Sequence, residues 1–179
     1  MNLRTLALAA LLPAGLVVLH DFGGNYDNAR MAAKTSIEID AGKPLEIQHN
    51  AIHWRSDLFD SVKSGKTKQF FAPDAWNRKI GTAKVPSDMQ LGGKAIAAGE
   101  WTIAVKVPGD DTSKFFLSFK QGDKTVDVPV EMKGGNAVED HLLLALTMRG
   151  GAESKDFQLK VGYGDMMGAI DGSLGGKAQ

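Results

Sequence analysis

His49 and His53 form the residue pair in this sequence that comes nearest to a metal site. In a helix, this spacing would place both imidazoles on one side, where they could bind zinc. The surrounding residues instead alternate apolar and polar after a Gly-Lys-Pro turn. This predicts a strand, in which residues four apart are separated by about 13 Å. The metal hypothesis therefore needs a bulge at Asn50 and further ligands such as His141 or Asp57. The alternative is two polar strand residues, one of them hydrogen-bonded.

Adjacent carboxylates and one glycine-rich segment are the other candidates for chemistry. The pairs Asp110-Asp111 and Glu139-Asp140 lie in predicted turns, where neighbouring side chains point apart instead of facing each other. The segment from Gly162 to Gly168 lacks the glycine spacing and the βαβ context of a nucleotide loop. No Gly-x-Ser-x-Gly elbow is present. The sequence thus indicates no catalytic residues and no cofactor.

The three tryptophans are candidates for stacking on a sugar. Trp101 shares one face of a predicted half-buried strand with Ile103, Val105 and Val107, which favours a core position. Trp76 and Arg78 lie where an apolar loop meets a strand start, and Trp54 ends another predicted strand. We therefore predict a ligand-binding face that includes Trp54, Trp76 and Arg78. The competing interpretation is that these aromatic residues are core residues, as most are in β-proteins.

The stretch from Leu91 to Asp110 predicts the hairpin around which the other strands are organised. A turn at Ala98-Gly99 precedes a strand at Glu100–Val107, and Pro108 ends that strand because it has no N–H to donate. Apolar residues alternate along the strand, as expected when one face is buried: Trp101, Ile103, Val105 and Val107.

Short strand-like segments recur along the rest of the chain, with turn residues between them. The strand predicted at 125–132 is expected to end at Lys133-Gly134-Gly135-Asn136. Pro129 within it indicates an edge strand. The pattern predicts an all-β fold, a single β-sandwich or barrel-like antiparallel sheet of about eight or nine short strands. Besides 100–107, the segments are 36–40, 45–54, 78–85, 89–91, 113–120, 125–132, 141–148 and 157–163.

The N-terminus has the layout of a secretory signal peptide over residues 1–20. Arg4 precedes an uncharged run from Leu6 to Leu19. As an apolar helix this run would span about 21 Å, too short for a stable transmembrane segment in a bilayer core of ~30 Å. An interfacial anchor and a helix packed on the domain are the alternatives. We predict a periplasmic or secreted protein with a linker at 21–35, a β-sandwich at 36–170 and a disordered tail at 171–179.

The composition excludes several classes of protein. The 21 basic and 21 acidic residues cancel, whereas nucleic-acid binding draws on an excess of basic residues. The cluster from Lys63 to Lys68 has no interleaved aromatic residue and is typical of a solvated loop. The chain has no cysteine, which excludes disulfides, thiolate metal sites and cysteine nucleophiles. A cysteine-free chain also fits an oxidising compartment.

Two segments match the motifs of a known family. Trp76–Ala83 is similar to a Trp-Arg-x-Gly-Ala segment, and Leu91–Thr102 is similar to a Gly-Gly-Lys-x-Leu-x-Ala-Gly-x-Tyr hairpin. With these segments, residues 43–170 resemble a bacterial family of exported proteins known as domain of unknown function 2911. The family's Tyr-x-Arg-Pro segment is represented only by His53–Ser56. The resemblance implies a β-rich extracytoplasmic domain and supplies no activity.

These observations favour an exported, non-enzymatic module that binds a small molecule, a glycan or a protein. One alternative is a metal-dependent hydrolase-like enzyme that uses His49, His53 and His141. The other is a structural or assembly module that pairs through an edge strand near Pro129.

Overall fold

The structure, a computed structural model, describes residues 32–40, 42–52, 75–108, 114–151 and 154–175. These residues form ten β-strands. In chain order the strands are β1 (Ala32–Asp40), β2 (Lys43–Asn50), β3 (Ala75–Val85), β4 (Met89–Leu91), β5 (Lys94–Ile96), β6 (Gly99–Pro108), β7 (Phe115–Gln121), β8 (Lys124–Val130), β9 (Lys133–Arg149) and β10 (Asp156–Leu174).

The strands form two antiparallel sheets that share one core. The six-stranded sheet has the order β1-β2-β3-β6-β7-β8, and the four-stranded sheet has the order β5-β4-β10-β9. Alternate residues of both sheets enter one apolar cluster, because successive side chains of a strand point to opposite faces. The predicted all-β class is confirmed, and the described residues alone form ten strands where about eight or nine are predicted. Representative core residues are Leu45, Ile47, Trp101, Phe119, Leu144 and Leu159.

The edge strands of one sheet lie beside the edge strands of the other. β1 approaches β9, and β5 approaches β8. The tight β4–β5 turn fits against β8, since a Cβ added to Gly92 would lie 3.0 Å from Cγ1 of Val128. Gly92 also has a φ of 56°, a conformation that glycine adopts at little cost. The predicted edge position of Pro129 agrees with the place of β8 at the end of the six-stranded sheet.

The β9–β10 ribbon is longer than the sequence indicates. The predicted break at 133–136 lies within β9, where Lys133 and Gly134 pair with β10. Pairing with a neighbouring strand supplies the backbone hydrogen bonds and so outweighs the low strand propensity of glycine. The register shifts on both sides of Gly164, whose φ is 64°, which is typical of a β-bulge that bends a strand.

β10 curls until its end returns to its start. The Leu174 N–H donates to the Lys155 carbonyl at 3.0 Å, and Gly172–Leu174 pairs with β4. The predicted disordered tail from residue 171 is therefore wrong for residues 171–174. Pairing with β4 supplies the backbone hydrogen bonds that keep Gly172–Leu174 in a strand. Curling of the ribbon brings residues far apart in sequence to one place.

Two further boundaries differ from the sequence prediction. β1 begins at Ala32, inside the predicted linker, because Ala33 pairs with His49 and is buried. β3 begins at Ala75, so Trp76 is a strand residue and not part of a loop. The predicted signal peptide with its apolar helix and residues 53–74 lie outside the described residues. Within the described part of the chain, no helix has the length and hydropathy needed to cross a bilayer.

Candidate functional site

His49 is a buried residue that binds the backbone of β9. Its side chain is 2% exposed and shares the core face of β2 with Leu45 and Ile47, as the alternation predicts. Nε2 lies 3.2 Å from the Leu142 carbonyl oxygen and 3.3 Å from the Leu144 nitrogen. One neutral tautomer donates to Leu142, and the other accepts from the Leu144 N–H. In both cases the imidazole links the two sheets.

Two neighbours of His49 extend this link along β9. Thr35 Oγ1 accepts from the Leu146 N–H at 3.0 Å, and the Ile52 carbonyl accepts from the Leu142 N–H at 2.8 Å. Thr35 is 3% exposed. We call Thr35, His49, Ile52 and residues 142–146 the β9 seam. The seam satisfies buried backbone groups at the outer edge of β9, which gives both buried polar side chains a structural role.

The structure describes only part of the predicted histidine set. His141 is half-buried on β9 next to Leu142, so it lies on the strand that His49 contacts. His53 and Asp57 are outside the described residues. Among the residues that are described, no three His, Cys, Asp or Glu side chains are grouped for a metal ion. Nε2 of His49 faces the β9 backbone, and the hydrogen-bonded alternative is therefore the one that fits His49.

The predicted aromatic face is described only in part. Trp76 and Arg78 are strand residues of β3, in register with Val107 and Val105 of β6. Trp54 lies outside the described residues, so a binding face of Trp54, Trp76 and Arg78 stays a prediction. Trp101 is confirmed as a core residue. It is 2% exposed, and its Nε1 donates to the Ala97 carbonyl at 2.9 Å.

An open depression of about 400 Å³ lies where the two ends of β10 meet. Arg149 ends β9, while the start and the end of β10 both contribute residues. The return of β10 to its own start therefore builds this place. We call it the Arg149 depression, and its lining residues are Gln90, Arg149, Gly150, Asp156, Phe157, Asp171, Gly172 and Ser173.

Asp171 is held in the Arg149 depression by two donors. Its Oδ1 accepts from Gln158 Nε2 at 2.9 Å and from Arg149 Nη1 at 2.6 Å. The hydrogen bond from Gln158, and then the hydrogen bond and charge of Arg149, hold the pKa of Asp171 below its ordinary value. Asp171 is therefore a carboxylate at neutral pH. Its side chain is 72% exposed, so the second oxygen can accept from a ligand.

The floor of the depression is closely packed. The Phe157 side chain is 1% exposed, and a Cβ added to Gly172 would overlap its ring. Glycine is therefore required at 172 because β10 crosses directly over Phe157. Rigid packing beneath Asp171 fixes the backbone from which the polar side chains project.

A second ion pair lies on the outer face of the six-stranded sheet. Lys106 Nζ and Asp127 Oδ2 are 2.5 Å apart, and both side chains are about 30% exposed. Burial raises the pKa of Asp127, but the hydrogen bonds from Lys106 and Ser118 and the charge of Lys106 lower it below the ordinary value. This pair stabilises the β6–β7–β8 face while Asp127 is ionised.

The Arg149 depression could not be found from the sequence. Arg149 follows an apolar run, and Asp171 lies in the predicted tail, 22 residues away. A single arginine after a strand is a common surface residue, so neither position carried a local signal. Only the curl of β10 brings the two side chains together.

No protein-family model, curated protein or solved structure matches this chain. The resemblance to domain of unknown function 2911 therefore stays a prediction. Any function must be argued from the chain's own residues.

Proposed function

We propose that this protein is an exported, non-enzymatic β-sandwich domain that binds a ligand or partner at the Arg149 depression. One observation carries the proposal: Asp171 is fixed by Arg149 and Gln158 in an open depression of about 400 Å³. Volumes of ~300–1,000 Å³ are typical of small-molecule sites. A carboxylate held in place by two donors is a preorganised acceptor for a ligand.

Asp171 is poorly suited to act as a general acid. A general acid needs a pKa near the working pH so that it holds a proton to give. The donors around Asp171 lower its pKa, so this carboxylate has no proton to donate at neutral pH. Its chemistry is that of a hydrogen-bond acceptor.

Export is supported by the basic start and apolar run of residues 1–20 and by the cysteine-free composition. Mass spectrometry of the protein recovered from the periplasm or medium of an expressing bacterium tests this part. We expect a chain shortened near residue 20. An intact N-terminus in the cytoplasmic fraction would contradict export.

The contacts between the sheets argue against assembly through an edge strand. The β9 seam occupies the outer edge of β9 at residues 142–146, and the β4–β5 turn packs against β8 near Pro129. A partner strand would have to displace these contacts before it could pair. The ligand-binding proposal requires no such opening.

Thermal-shift titration of the full chain tests binding at the Arg149 depression. The panel contains neutral saccharides, short peptides and phosphorylated metabolites. At least one class should raise the melting temperature, and Arg149→Ala should reduce the effect. The matched control is Lys34→Ala, which breaks a similarly exposed ion pair with Glu46 on β1 and β2. Binding by no class, or binding that Arg149→Ala leaves unchanged, would overturn the proposal.

A further inference from the structure

We infer that the Arg149 depression selects neutral, polyhydroxylated ligands, that is, carbohydrates of mono- or disaccharide size. This inference rests on the proposed function and adds the chemical class of the ligand. It is drawn from the charges, the hydrogen-bonding groups and the volume of the depression.

The charges in the depression oppose anions. Arg149 is the one cationic residue among the described residues that line the depression. Its guanidinium already donates a hydrogen bond to Asp171. Asp156 contributes a second carboxyl group. A phosphate or carboxylate ligand would have to compete with Asp171 for the guanidinium and would meet two acidic side chains.

A metal cation is also a poor occupant. The guanidinium of Arg149 lies 2.6 Å from Asp171 Oδ1, which opposes a second positive charge there. Within the described part of the chain, no three His, Cys, Asp or Glu side chains are grouped for a metal ion at this place or elsewhere. The balance of charge thus favours an uncharged ligand.

The hydrogen-bonding groups match hydroxyl groups. Asp171 and Asp156 are acceptors, Arg149 is a donor with several N–H groups, and Gln90 and Ser173 both donate and accept. A sugar hydroxyl can donate and accept at once, so neighbouring hydroxyls can use both kinds of group. Asp171 is already oriented by Arg149 and Gln158, which lowers the cost of ordering it on binding.

The size and floor of the depression restrict the ligand further. A volume of about 400 Å³ is at the small end of the ~300–1,000 Å³ range of ligand pockets. Phe157 is buried beneath Gly172 and offers no open ring face for stacking. Recognition therefore depends on polar contacts, and replacement of the Asp171 carboxylate should weaken it strongly.

Two-dimensional NMR titration of the full chain tests the ligand class. The probes are maltose, cellobiose, inorganic phosphate, glucose 6-phosphate and triglycine, and the reporters are the side-chain amides of Gln90 and Gln158 and the Arg149 Nε–H. A neutral disaccharide should shift these signals at lower concentration than the other probes. Asp171→Asn should weaken its binding about tenfold, the loss expected for a hydrogen bond to a charged group. The control Glu46→Gln changes a distant ion pair and should leave binding unchanged.

The outcomes separate this inference from the proposed function. If phosphate or triglycine shifts the reporters at lower concentration than either disaccharide, the site binds another class and the inference fails alone. If no probe shifts the reporters, both the inference and the proposed function fail.

Discussion

The β9 seam gives a prediction that can be worked through from the structure. His49→Ala removes the imidazole that links β2 to β9. The backbone group that Nε2 pairs with, the Leu142 carbonyl or the Leu144 N–H, is then buried without that partner. A buried backbone group left unsatisfied costs about 1–3 kcal/mol, and loss of the packed ring adds about 1 kcal/mol or more. We expect the free energy of unfolding to fall by about 3 kcal/mol, against a typical total of ~5–15 kcal/mol.

His49→Gln is the matched control for this variant. Its side-chain amide can donate to the Leu142 carbonyl and accept from the Leu144 N–H at the same time. We therefore expect a loss of about 1 kcal/mol or less. Thr35→Val keeps the shape of the side chain but leaves the Leu146 N–H without its acceptor, which should cost about 1–3 kcal/mol.

Urea unfolding followed by tryptophan fluorescence measures these differences, because Trp101 is buried in the shared core. The urea concentration at the midpoint should be highest for wild type, lower for His49→Gln and lowest for His49→Ala. The dependence of the free energy of unfolding on urea should be similar in all three. If His49→Ala changes the free energy of unfolding by less than about 0.5 kcal/mol, within the range of ordinary surface substitutions, the seam is not a stabilising link. If Gln and Ala destabilise equally, the hydrogen bonds of His49 are not the cause.

Two further predictions concern the six-stranded sheet. A Cβ added to Gly81 would overlap the Gln48 carbonyl, so Gly81→Ala should cost about 1–3 kcal/mol. In the control Gly134→Ala, the added Cβ would have no atom within 4 Å, so the free energy of unfolding should change by about 0.5 kcal/mol or less. Equal melting temperatures for the two variants would contradict the close β2–β3 contact. The pKa of Asp127 is lower in the folded chain than its ordinary value of 3.8. Its pair with Lys106 therefore stabilises the fold above about pH 4, and this stabilisation is lost at lower pH. The stability difference between wild type and Asp127→Asn should shrink from about pH 6 to pH 3, and a constant difference would refute this assignment.

Local patterns were sufficient to predict the fold class. Alternating apolar residues indicate the buried faces of β2 and β6. The predicted segments 113–120 and 125–132 agree with β7 and β8, whose connecting turn contains Gly122 with a φ of 56°. A strand that buries one face carries this alternation in its own sequence, so it can be predicted without knowledge of its partners. The position of Pro129 on an edge strand followed from its missing N–H.

The parts that sequence could not predict depend on distant partners. Gly134 and Gly172 have low strand propensity, and only their pairing with β10 and β4 keeps them in strands. His49 was placed on the correct face, but its hydrogen bonds reach residues 93 and 95 positions away. The Arg149 depression likewise exists only after β10 has curled, so no short motif could reveal it.

The β9 seam also bears on how the protein behaves at high concentration. The chain has a formal net charge of zero, so electrostatic repulsion does little to keep molecules apart. The segment from His141 to Met148 is mostly apolar and carries no acidic or basic residue other than the histidine. These are features of an aggregation-prone strand. Thr35 and His49 occupy the backbone groups with which such a strand would pair with another copy. Variants that open the seam should therefore form intermolecular β-sheet before they unfold completely, and the two buried polar residues protect colloidal stability as well as the native fold.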